Sequence, residues 1–560
     1  MSAPSARPTG SFVGHAVLIG GVTFISRLLG LVRESIAARY FGAGAIWSAF
    51  TFAFTIPNLF RKLLGEVALS AAFIPVYSQQ LKTADPARSM QFAAASVNLL
   101  VLILLGLTIV GELVLLALGL TLTRPDYLLA IKLTAIMLPY VMLVCGAAFL
   151  GAILQSHTRF GAAAATSIVL NLCLIVTILI AAVRFDLTSP LGQQRAVYWL
   201  AIGVLVSGLL QIAVLVPSLR AIGFRFDWRA PMRTPAVRRM LVLSIPVALS
   251  AGVLQVGVLL DKAIAFFLAS APGIETFTLF GQTIAYPMHE GAAARLNWAQ
   301  FMYQFPLGVF AIALATAIFP RLSSDAIADG HLTHGDTRAA ATPQFRHVLG
   351  RGMEASLFIG LPASAGMVIV AVPAVRLLFE GGNFTPDDTL WTARSTAIYS
   401  AAIWAFSMQQ ILSRAYYALH DTITPLIWTI VNLLLNLVVE LPLLFLTELG
   451  EAALPVGTLV SFAIQSVVML LMLDRRAGGI GLGQSLVPIG KMVLATLVMT
   501  GACYAAMQIP GWPTDASKLS AAIQLALLMT IGGSVYLLSC ALLRLGDWRQ
   551  YVRRRTPSAS

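Results

Sequence analysis

Charged side chains inside apolar stretches are the first chemically informative feature of this sequence. The first two long apolar stretches contain charged side chains: Arg27, Arg33 and Glu34 in the first, and Arg61, Lys62 and Glu66 in the second. Guanidinium groups do not deprotonate in proteins, and they bind phosphate through two parallel hydrogen bonds. Three buried arginines therefore indicate a binding site for an anion such as a pyrophosphate.

Helix geometry allows these arginines to share one cavity. Arg27 and Arg33 lie six residues apart, which on a helix corresponds to an offset of about 120° around the axis and about 9 Å along it. Arg61 follows Pro57-Asn58, and the proline removes a backbone hydrogen bond and can bend the helix. The spacing therefore allows the three guanidinium groups to line a broad polar wall.

A structural role for the same side chains is an open alternative. In that interpretation Arg33 forms an ion pair with Glu34 or Glu66, and Arg61 extends along apolar surface to the membrane interface.

A second group of polar residues lies near the other end of the chain. Asn432, Asn436 and Glu440 are spaced four residues apart and so share one stripe of a helix. Asp261 is a further carboxylate inside an apolar stretch. Oxygen ligands of this kind could hold Na⁺ or carry a proton, with Glu440 as a candidate for proton or cation coupling. Hydrogen bonding between helices is the alternative.

The elements that must position these residues are membrane helices. The chain has 560 residues, of which 58% are hydrophobic and 11% charged, against about 45–50% and 25% in soluble domains. Its mean hydropathy is +0.84, and apolar runs long enough to cross a layer of ~30 Å recur along it. The net charge of +13 resides mainly in short joints, so the charge indicates membrane topology and not a nucleic-acid partner.

The apolar runs predict an all-α polytopic membrane protein with about fourteen helices. Their approximate bounds are 15–41, 46–80, 91–119, 127–155, 160–184, 196–219, 236–269, 297–322, 346–379, 389–419, 423–446, 452–473, 486–508 and 518–544. An even count places most joint arginines and lysines on the side that holds both termini, which predicts that both termini are cytoplasmic. No G-x-x-x-x-G-K-[ST] motif is present, so ATP is not the predicted energy source.

A weak internal repeat divides the chain into two lobes. Residues 72–75 (AFIP) resemble 317–320 (AIFP), and residues 154–159 resemble 419–424. Two six-helix lobes in pseudo-twofold repeat plus two C-terminal helices are typical of a transporter whose site lies between the lobes. The predicted segments are a cytoplasmic tail 1–14, an N-lobe 15–222, a C-lobe 223–480, two further helices within 481–546 and a basic cytoplasmic tail 547–560.

Several motifs closely resemble the MurJ/MviN family of lipid II flippases, over roughly residues 15 to 545. The motifs are ISRLLGLVRE at 25–34, FGAG at 41–44, PNLFRKLLGE at 57–66, AFIP at 72–75, GAIL at 151–154, FPLGV at 305–309 and RAYYALHDT at 414–422.

The resemblance implies a fourteen-helix fold of the multidrug/oligosaccharidyl-lipid/polysaccharide exporter superfamily. It implies a flippase, not an enzyme, that moves lipid-linked peptidoglycan precursor from the inner to the outer leaflet of the bacterial cytoplasmic membrane. Besides membrane lipids, cell-wall synthesis proteins are candidate partners, and no cofactor other than Na⁺ or H⁺ is expected. The implied substrate-binding residues are Ser26, Arg27, Arg33, Glu34, Arg61 and Glu66. The implied Na⁺ ligands are Asp261, Asn432, Asn436, Thr458 and the Leu454 carbonyl.

Two departures from the family pattern bear on the substrate. Ser48 stands where many members have an aspartate, and Gln300-Phe301 stands where they have an Asp-Arg pair. Arg295 or Lys262 could replace the lost cation. The alternatives are an exporter of another polyprenyl-pyrophosphate glycan, a drug exporter of the same superfamily, which would have an aromatic, acidic cavity, a membrane enzyme acting on lipid-linked sugars, and a non-transporting scaffold.

Overall fold

The fold is built almost entirely from long helices. The computed structural model describes residues 10–83, 85–308, 322, 342–513, 515 and 517–545. The helices before residue 270 are α1 Gly10–Phe41, α2 Ala45–Phe60, a π-helix Arg61–Phe73, α3 Ile74–Thr83, α4 Pro86–Thr121, α5 Pro125–Met137, α6 Tyr140–Ser156, α7 Phe160–Arg184, α8 Pro190–Ala221 and α9 Pro235–Phe267. Those after it are α10 Ala292–Pro306, α11 Pro343–Leu378, α12 Pro386–Ala401, α13 Ile403–Ala418, α14 Ile423–Leu446, a 3-10 turn Gly450–Ala452, α15 Ala453–Arg476, α16 Leu482–Met507 and α17 Lys518–Leu542.

These helices confirm the prediction of an all-α polytopic membrane protein. Among the described residues, eight helices are long and apolar enough to cross a membrane, and the bent pair α5 and α6 adds a ninth. Each of the fourteen predicted spans coincides with at least one described helix, although the eighth is described only over α10. Large apolar side chains such as Leu120 and Val183 are 82% and 91% exposed. Such a surface fits lipid and not water as the surrounding medium.

Local sequence signals determine where many of the helices begin. Proline occupies the first helical position of α4, α5, α8, α9, α11 and α12, where its missing N–H has no helical partner to lose. Ser189 and Thr234 accept hydrogen bonds from the main chain of the first turns of α8 and α9. Thr385 and Asp388 form a reciprocal capping box at the start of α12.

Three predicted spans are interrupted helices. The second continues from α2 into the π-helix after Pro57, and the fourth bends by 41° between α5 and α6 around Pro139. The tenth breaks between α12 and α13 without a proline, where the Trp404 N–H donates to Ser364 Oγ at 3.0 Å. The fourth and tenth spans are equivalent in the predicted repeat, so their shared break supports that repeat.

The turns after α6 and α13 fix the register of the repeat. Thr158 and His420 both have positive φ values, 61° and 56°. In each turn the N–H of the residue that follows donates to a carbonyl five residues earlier, at 2.9 Å in both, and those carbonyls belong to Leu154 and Tyr416. The structural offset is therefore 416 − 154 = 262 residues. The sequence match of Leu154 with Leu419 is wrong by three residues, because it aligned two leucines instead of the left-handed caps.

The described chain divides into two compact units. The first comprises residues up to Glu275 together with Gly381–Phe384, and the second comprises the remainder. Each has its own apolar core, around Phe73, Tyr77 and Phe149 in the first and around Phe345 and Tyr416 in the second. By its contacts α9 belongs to the first unit, although the repeat places it at the start of the predicted C-lobe. The predicted lobe boundary at 222/223 stays a prediction.

The short segment Gly381–Phe384 is held by hydrogen bonds within the first unit. The Asn383 N–H and side-chain amide donate to three main-chain carbonyls at 2.9, 2.6 and 2.7 Å: those of Arg39, Tyr40 and Leu187. At Gly42, with a φ of +62°, a Cβ atom would lie 2.2 Å from the Asn383 carbonyl oxygen. Glycine is therefore required for this close approach.

One β-hairpin departs from the all-helical expectation. Strands β1 Thr276–Leu279 and β2 Gln282–Ala285 pair antiparallel. Phe280 and Gly281 between them have φ values of 50° and 80°, as a two-residue hairpin turn requires. The alternation of threonine with Phe277 and Leu279 is a strand signal, but the turn lacks the usual Asn-Gly pair.

Candidate anion-binding site

A polar cavity of about 390 Å³ lies between α1, α6 and α7 of the first unit. Its wall carries one guanidinium group, three hydroxyl groups, one side-chain amide and a small apolar patch. The lining residues are Thr23, Ser26, Arg27, Gln155, Phe160, Ala163, Ala164 and Ser167. The cavity is thus a concave site with a permanent positive charge and several hydrogen-bonding groups.

Residue spacing explains how the cavity forms. Thr23, Ser26 and Arg27 are three and four residues apart and so lie on one face of α1. On α7 the facing residues include two alanines, Ala163 and Ala164. Their side chains are single methyl groups, which leaves room beside the guanidinium group. A Cβ atom at Gly151 would lie 3.3 Å from the Ala163 Cβ, so glycine helps α6 to pack close to α7.

Arg33 belongs to a hydrogen-bonded network next to this wall. Its Nη2 contacts Glu34 Oε1 at 2.5 Å, and its Nη1 donates to Asn171 Oδ1 at 3.1 Å. The Asn171 amide donates in turn to the Ser26 carbonyl at 3.0 Å. Arg33 and Arg27 therefore have different surroundings, as expected from their offset around α1. The predicted alternative that Arg33 pairs with Glu34 describes a contact that the structure contains.

Asn171 was missed in the sequence although it connects two of the predicted residues. It lies on α7 and is 8% exposed. An amide inside an apolar run is commonly a contact between helices, so its type alone did not separate it from structural asparagines. What distinguishes Asn171 is its pair of hydrogen bonds to Arg33 and Ser26, which are visible only in the folded chain.

Arg61 lies where the helix geometry changes. It is the first residue of the π-helix Arg61–Phe73, four residues after Pro57, and π-helical segments are frequent at functional sites. The side chain of Asn58 donates to the Phe54 carbonyl at 3.1 Å within the same bent region. The predicted site residue Glu66 has a side chain that lies outside the described residues.

Asp261 and Lys262 add charge to the first unit. Both are partly buried on α9, and Lys262 interacts electrostatically with Glu34, Lys62 and Asp261. Lys262 therefore adds a cation to the unit that already contains Arg27 and Arg33.

The residues that depart from the family pattern, Ser48 and Gln300-Phe301, are uncharged. Gln300 donates to the Tyr399 hydroxyl at 3.3 Å, and Tyr303 stacks on the Tyr399 ring at 5.2 Å. Ser48 is 4% exposed on α2, and among the described residues its hydroxyl has no hydrogen-bond partner. Neither position supplies a charge.

Arg295 is not available to replace the lost cation. It is 4% exposed and forms ion pairs with Glu451 at 2.7 Å and Asp388 at 3.2 Å. Its Nε also donates to Glu451. Two carboxylates neutralise this guanidinium group, so its role is to join α10, the 3-10 turn and the start of α12.

The predicted polar stripe of α14 is buried in the second unit. Asn432, Asn436 and Glu440 are 9%, 6% and 0% exposed, and the Asn436 amide donates to Glu440 at 3.1 Å. A Cβ atom at Gly457 would lie 2.9 Å from both Asn436 Oδ1 and Glu440 Cβ, so glycine allows α15 to approach this stripe.

The remaining predicted sodium ligands are divided between the two units. Leu454 and Thr458 of α15 are also buried and, like the stripe, belong to the second unit, whereas Asp261 belongs to the first.

His157 lies in the turn after α6. Burial, and then the charge of Arg159, lower its pKa below the ordinary value. Its Nε2 lies 2.9 Å from the Tyr77 hydroxyl, which ties the turn to α3. The lowered pKa therefore disfavours a positive charge on this ring.

A family model and several related proteins match this sequence over most of its length. The family model described as lipid II flippase MurJ matches residues 37–519. A probable lipid II flippase MurJ of Rhizobium meliloti is 31% identical over 91% of this chain and 90% of its own length. One of Vibrio cholerae is 28% identical over 87% of each chain.

Structural comparisons agree on the fold. A solved lipid II flippase MurJ in an inward-closed conformation has a TM-score of 0.72 at 22% identity, covering 96% of this chain and 100% of its own. An inward-facing multidrug resistance MATE family transporter has a TM-score of 0.64 at 14% identity, covering 83% and 98%. The helical fold is thus shared with both, and the sequence match over most of the length places this chain in the lipid II flippase MurJ family.

Proposed function

We propose that this chain is a flippase that moves lipid II, the lipid-linked peptidoglycan precursor, across a bacterial inner membrane by alternating access. The observation that carries the proposal is the polar cavity of the first unit, with Arg27 on its wall and the Arg33 network beside it. A pyrophosphate needs fixed cations, and guanidinium groups supply them at any physiological pH.

The polar cavity supports a division of the substrate into three parts. Arg27, Arg33 and Arg61 bind the pyrophosphate, and the sugar-peptide head occupies the water-accessible space. The polyprenyl tail stays in lipid, because transferring it to water would expose a large apolar surface. Binding that differs in strength between two conformations then shifts their equilibrium.

A cation bound in the second unit is proposed as the coupling ion. Asn436, Glu440, Thr458 and the Leu454 carbonyl would hold Na⁺ or a proton, since they supply amide, carboxylate, hydroxyl and carbonyl oxygens. Close packing at Gly457 supports the fit, because a Cβ atom there would lie 2.9 Å from Asn436 Oδ1. At this point α15 therefore lies close to the oxygen ligands of α14. Asn432 stays a candidate for the same ion, and Asp261, which belongs to the first unit, stays a separate predicted cation ligand.

Both termini are proposed to be cytoplasmic. The segment 222–239, from the end of α8 into the first turn of α9, and the tail 547–560 together contain nine arginines: Arg225, Arg229, Arg233, Arg238, Arg239, Arg549, Arg553, Arg554 and Arg555. An excess of this kind is typical of the cytoplasmic side. Proteins of cell-wall synthesis are the proposed class of protein partner.

A second candidate substrate is another polyprenyl-pyrophosphate glycan. The neutral pair of Gln300 with Tyr399 favours it, because the family pattern has an Asp-Arg pair at this place. Complementation of a lipid II flippase depletion distinguishes the two. Rescue with lipid II exposed on the outer leaflet supports lipid II, and failure of the inserted protein to rescue supports the other glycan.

Replacement of Asn171 by alanine should slow flipping about tenfold or more. The variant removes a hydrogen bond to the charged Arg33 and the link to Ser26, and hydrogen bonds to charged groups contribute about 1.5–3 kcal/mol. The rate of lipid II exposure in proteoliposomes measures the effect. The control is Asn58→Ala, which removes a hydrogen bond within its own helix, the one that this side chain makes among the described residues. Equal losses in both variants would contradict a specific role.

Sodium or proton dependence should be lost when the α14 stripe is changed. Asn436→Ala and Glu440→Gln should each reduce stimulation by the coupling ion at least fivefold while lipid II binding persists. The measurement is flipping with an imposed Na⁺ gradient and, separately, an imposed pH gradient. Gln409→Ala, a half-buried amide on α13, is the matched control. Unchanged ion stimulation in both test variants would exclude this site.

A further inference from the structure

The joint between α8 and α9 forms a strongly basic surface. We call residues 222–239, which include the first turn of α9, the arginine joint. Five of its side chains are exposed arginines: Arg225, Arg229, Arg233, Arg238 and Arg239. Asp227 is the only carboxylate in this stretch, and its Oδ1 accepts from the Arg229 N–H at 2.9 Å. The joint therefore presents a net positive charge of about four to its surroundings.

Two aromatic rings stand out from the same surface. Phe226 and Trp228 are 47% and 64% exposed, and their rings meet edge to face at 4.7 Å. An exposed aromatic pair between arginines is costly in water. Tryptophan and basic residues are both enriched at membrane interfaces, where a ring can contact acyl chains and a cation can contact head groups.

The arginine joint is anchored to the body of the first unit. Phe224 and Ala230 are buried in the core that contains Phe73 and Tyr77. The side-chain amide of Asn98, on α4, donates to the Asp227 carbonyl at 2.8 Å. The exposed rings thus lie between two buried anchors, so their orientation is fixed before any ligand binds.

Chain connectivity places this surface at the membrane boundary. α8 ends at Ala221 and is long and apolar enough to span the membrane. α9, which corresponds to the next predicted span, begins at Pro235, after 13 intervening residues, 222–234. The joint therefore lies at the level of the lipid head groups, and its charge is complementary to that of anionic lipids.

We propose that the arginine joint binds the phosphodiester head groups of anionic phospholipids, with Phe226 and Trp228 inserted among the upper acyl carbons. Basic residues near an anionic membrane surface contribute about 1 kcal/mol each, and the aromatic pair adds burial of apolar area. This surface is separate from the cavity that Arg27 lines, and its lipid binding does not depend on whether the chain flips lipid II.

Native mass spectrometry of the full detergent-solubilised chain tests the proposal. Phosphatidylglycerol and phosphatidylcholine are titrated separately, and the number of retained lipids is compared. We expect the wild type to retain phosphatidylglycerol at least fivefold better than phosphatidylcholine. Arg225→Gln with Arg229→Gln should remove most of this preference, and 10 mM inorganic phosphate should leave it in place.

The matched control changes two exposed arginines on either side of the joint between α7 and α8, one at the end of α7 and one in the first turns of α8. Arg184→Gln with Arg195→Gln has the same change in charge and lies in the same unit. Equal losses in the two double variants would overturn the proposal, because they would indicate a general charge effect. Displacement of the lipid by inorganic phosphate would also overturn it, since it would indicate a simple phosphate site.

The aromatic pair has its own readout. In vesicles containing phosphatidylglycerol with brominated acyl chains, Trp228 fluorescence should be quenched, measured as the difference between the wild type and Trp228→Phe. No difference in quenching between these proteins would contradict insertion of the ring. Equal thermal unfolding of the two proteins confirms that the comparison is between folded chains.

Discussion

Alanine at Arg27 is expected to slow lipid II flipping at least about 30-fold while the protein still inserts and folds. Arg27 is partly buried on the wall of the polar cavity, where it would bind the pyrophosphate through two parallel hydrogen bonds, and hydrogen bonds to charged groups contribute about 1.5–3 kcal/mol each. A loss of about 2 kcal/mol or more lowers the flipping rate or the substrate affinity at least about 30-fold. The lysine variant should recover part of the loss, because it restores the charge but not the two parallel hydrogen bonds.

The measurement is outer-leaflet exposure of lipid II in cells depleted of their own flippase. Arg195→Ala is the matched control, because Arg195 is an exposed arginine of the same unit and lies far along the chain from the cavity residues. It should flip normally at equal membrane abundance. Normal flipping by Arg27→Ala would remove the guanidinium group from the proposed site.

Replacement of Arg295 by methionine should destabilise the second unit by about 3–5 kcal/mol. The change leaves Glu451 and Asp388 buried without their shared cation, and breaking one side of a buried ion pair typically has an effect of this size. Since folded proteins are stable by only about 5–15 kcal/mol, the variant should unfold at a clearly lower temperature or denaturant concentration.

The double variant Arg295→Met, Glu451→Gln should recover part of this loss, because one buried carboxylate is neutralised along with the guanidinium group. Arg394→Ala is the control on α12, where the exposed guanidinium group lies 5.8 Å from the Trp391 ring centroid. Its unfolding should change by less than about 1 kcal/mol. Similar unfolding of Arg295→Met and the wild type would contradict a stabilising role for the ion pairs.

The membrane fold was predictable from sequence because its signals are long and regular. Apolar runs of helix length identify spans without any tertiary information, and the described helices coincide with them. The stripe of Asn432, Asn436 and Glu440 was also predictable, because a spacing of four residues keeps side chains on one helix face. All three side chains are buried as expected.

Features that depend on contacts between distant residues could not be predicted in the same way. Asn171 and Ser26 are 145 residues apart, so their contact appears only in the folded chain. The availability of Arg295 depends on Glu451 and Asp388, which belong to other helical elements. The hairpin turn at Phe280 and the equivalent turns at Thr158 and His420 are defined by positive φ angles. An alignment of residue types does not record these angles.

Reconstitution of the purified chain with lipid II tests the central claim most directly. Proteoliposomes with fluorescently labelled lipid II on both leaflets are exposed to a reagent that reaches only the outer one. We predict that wild-type protein makes more than half of the labelled lipid reactive, whereas Arg27→Ala protein leaves about half protected. Equal protection in vesicles with wild-type protein, with Arg27→Ala protein and without protein would contradict the proposal that this chain flips lipid II.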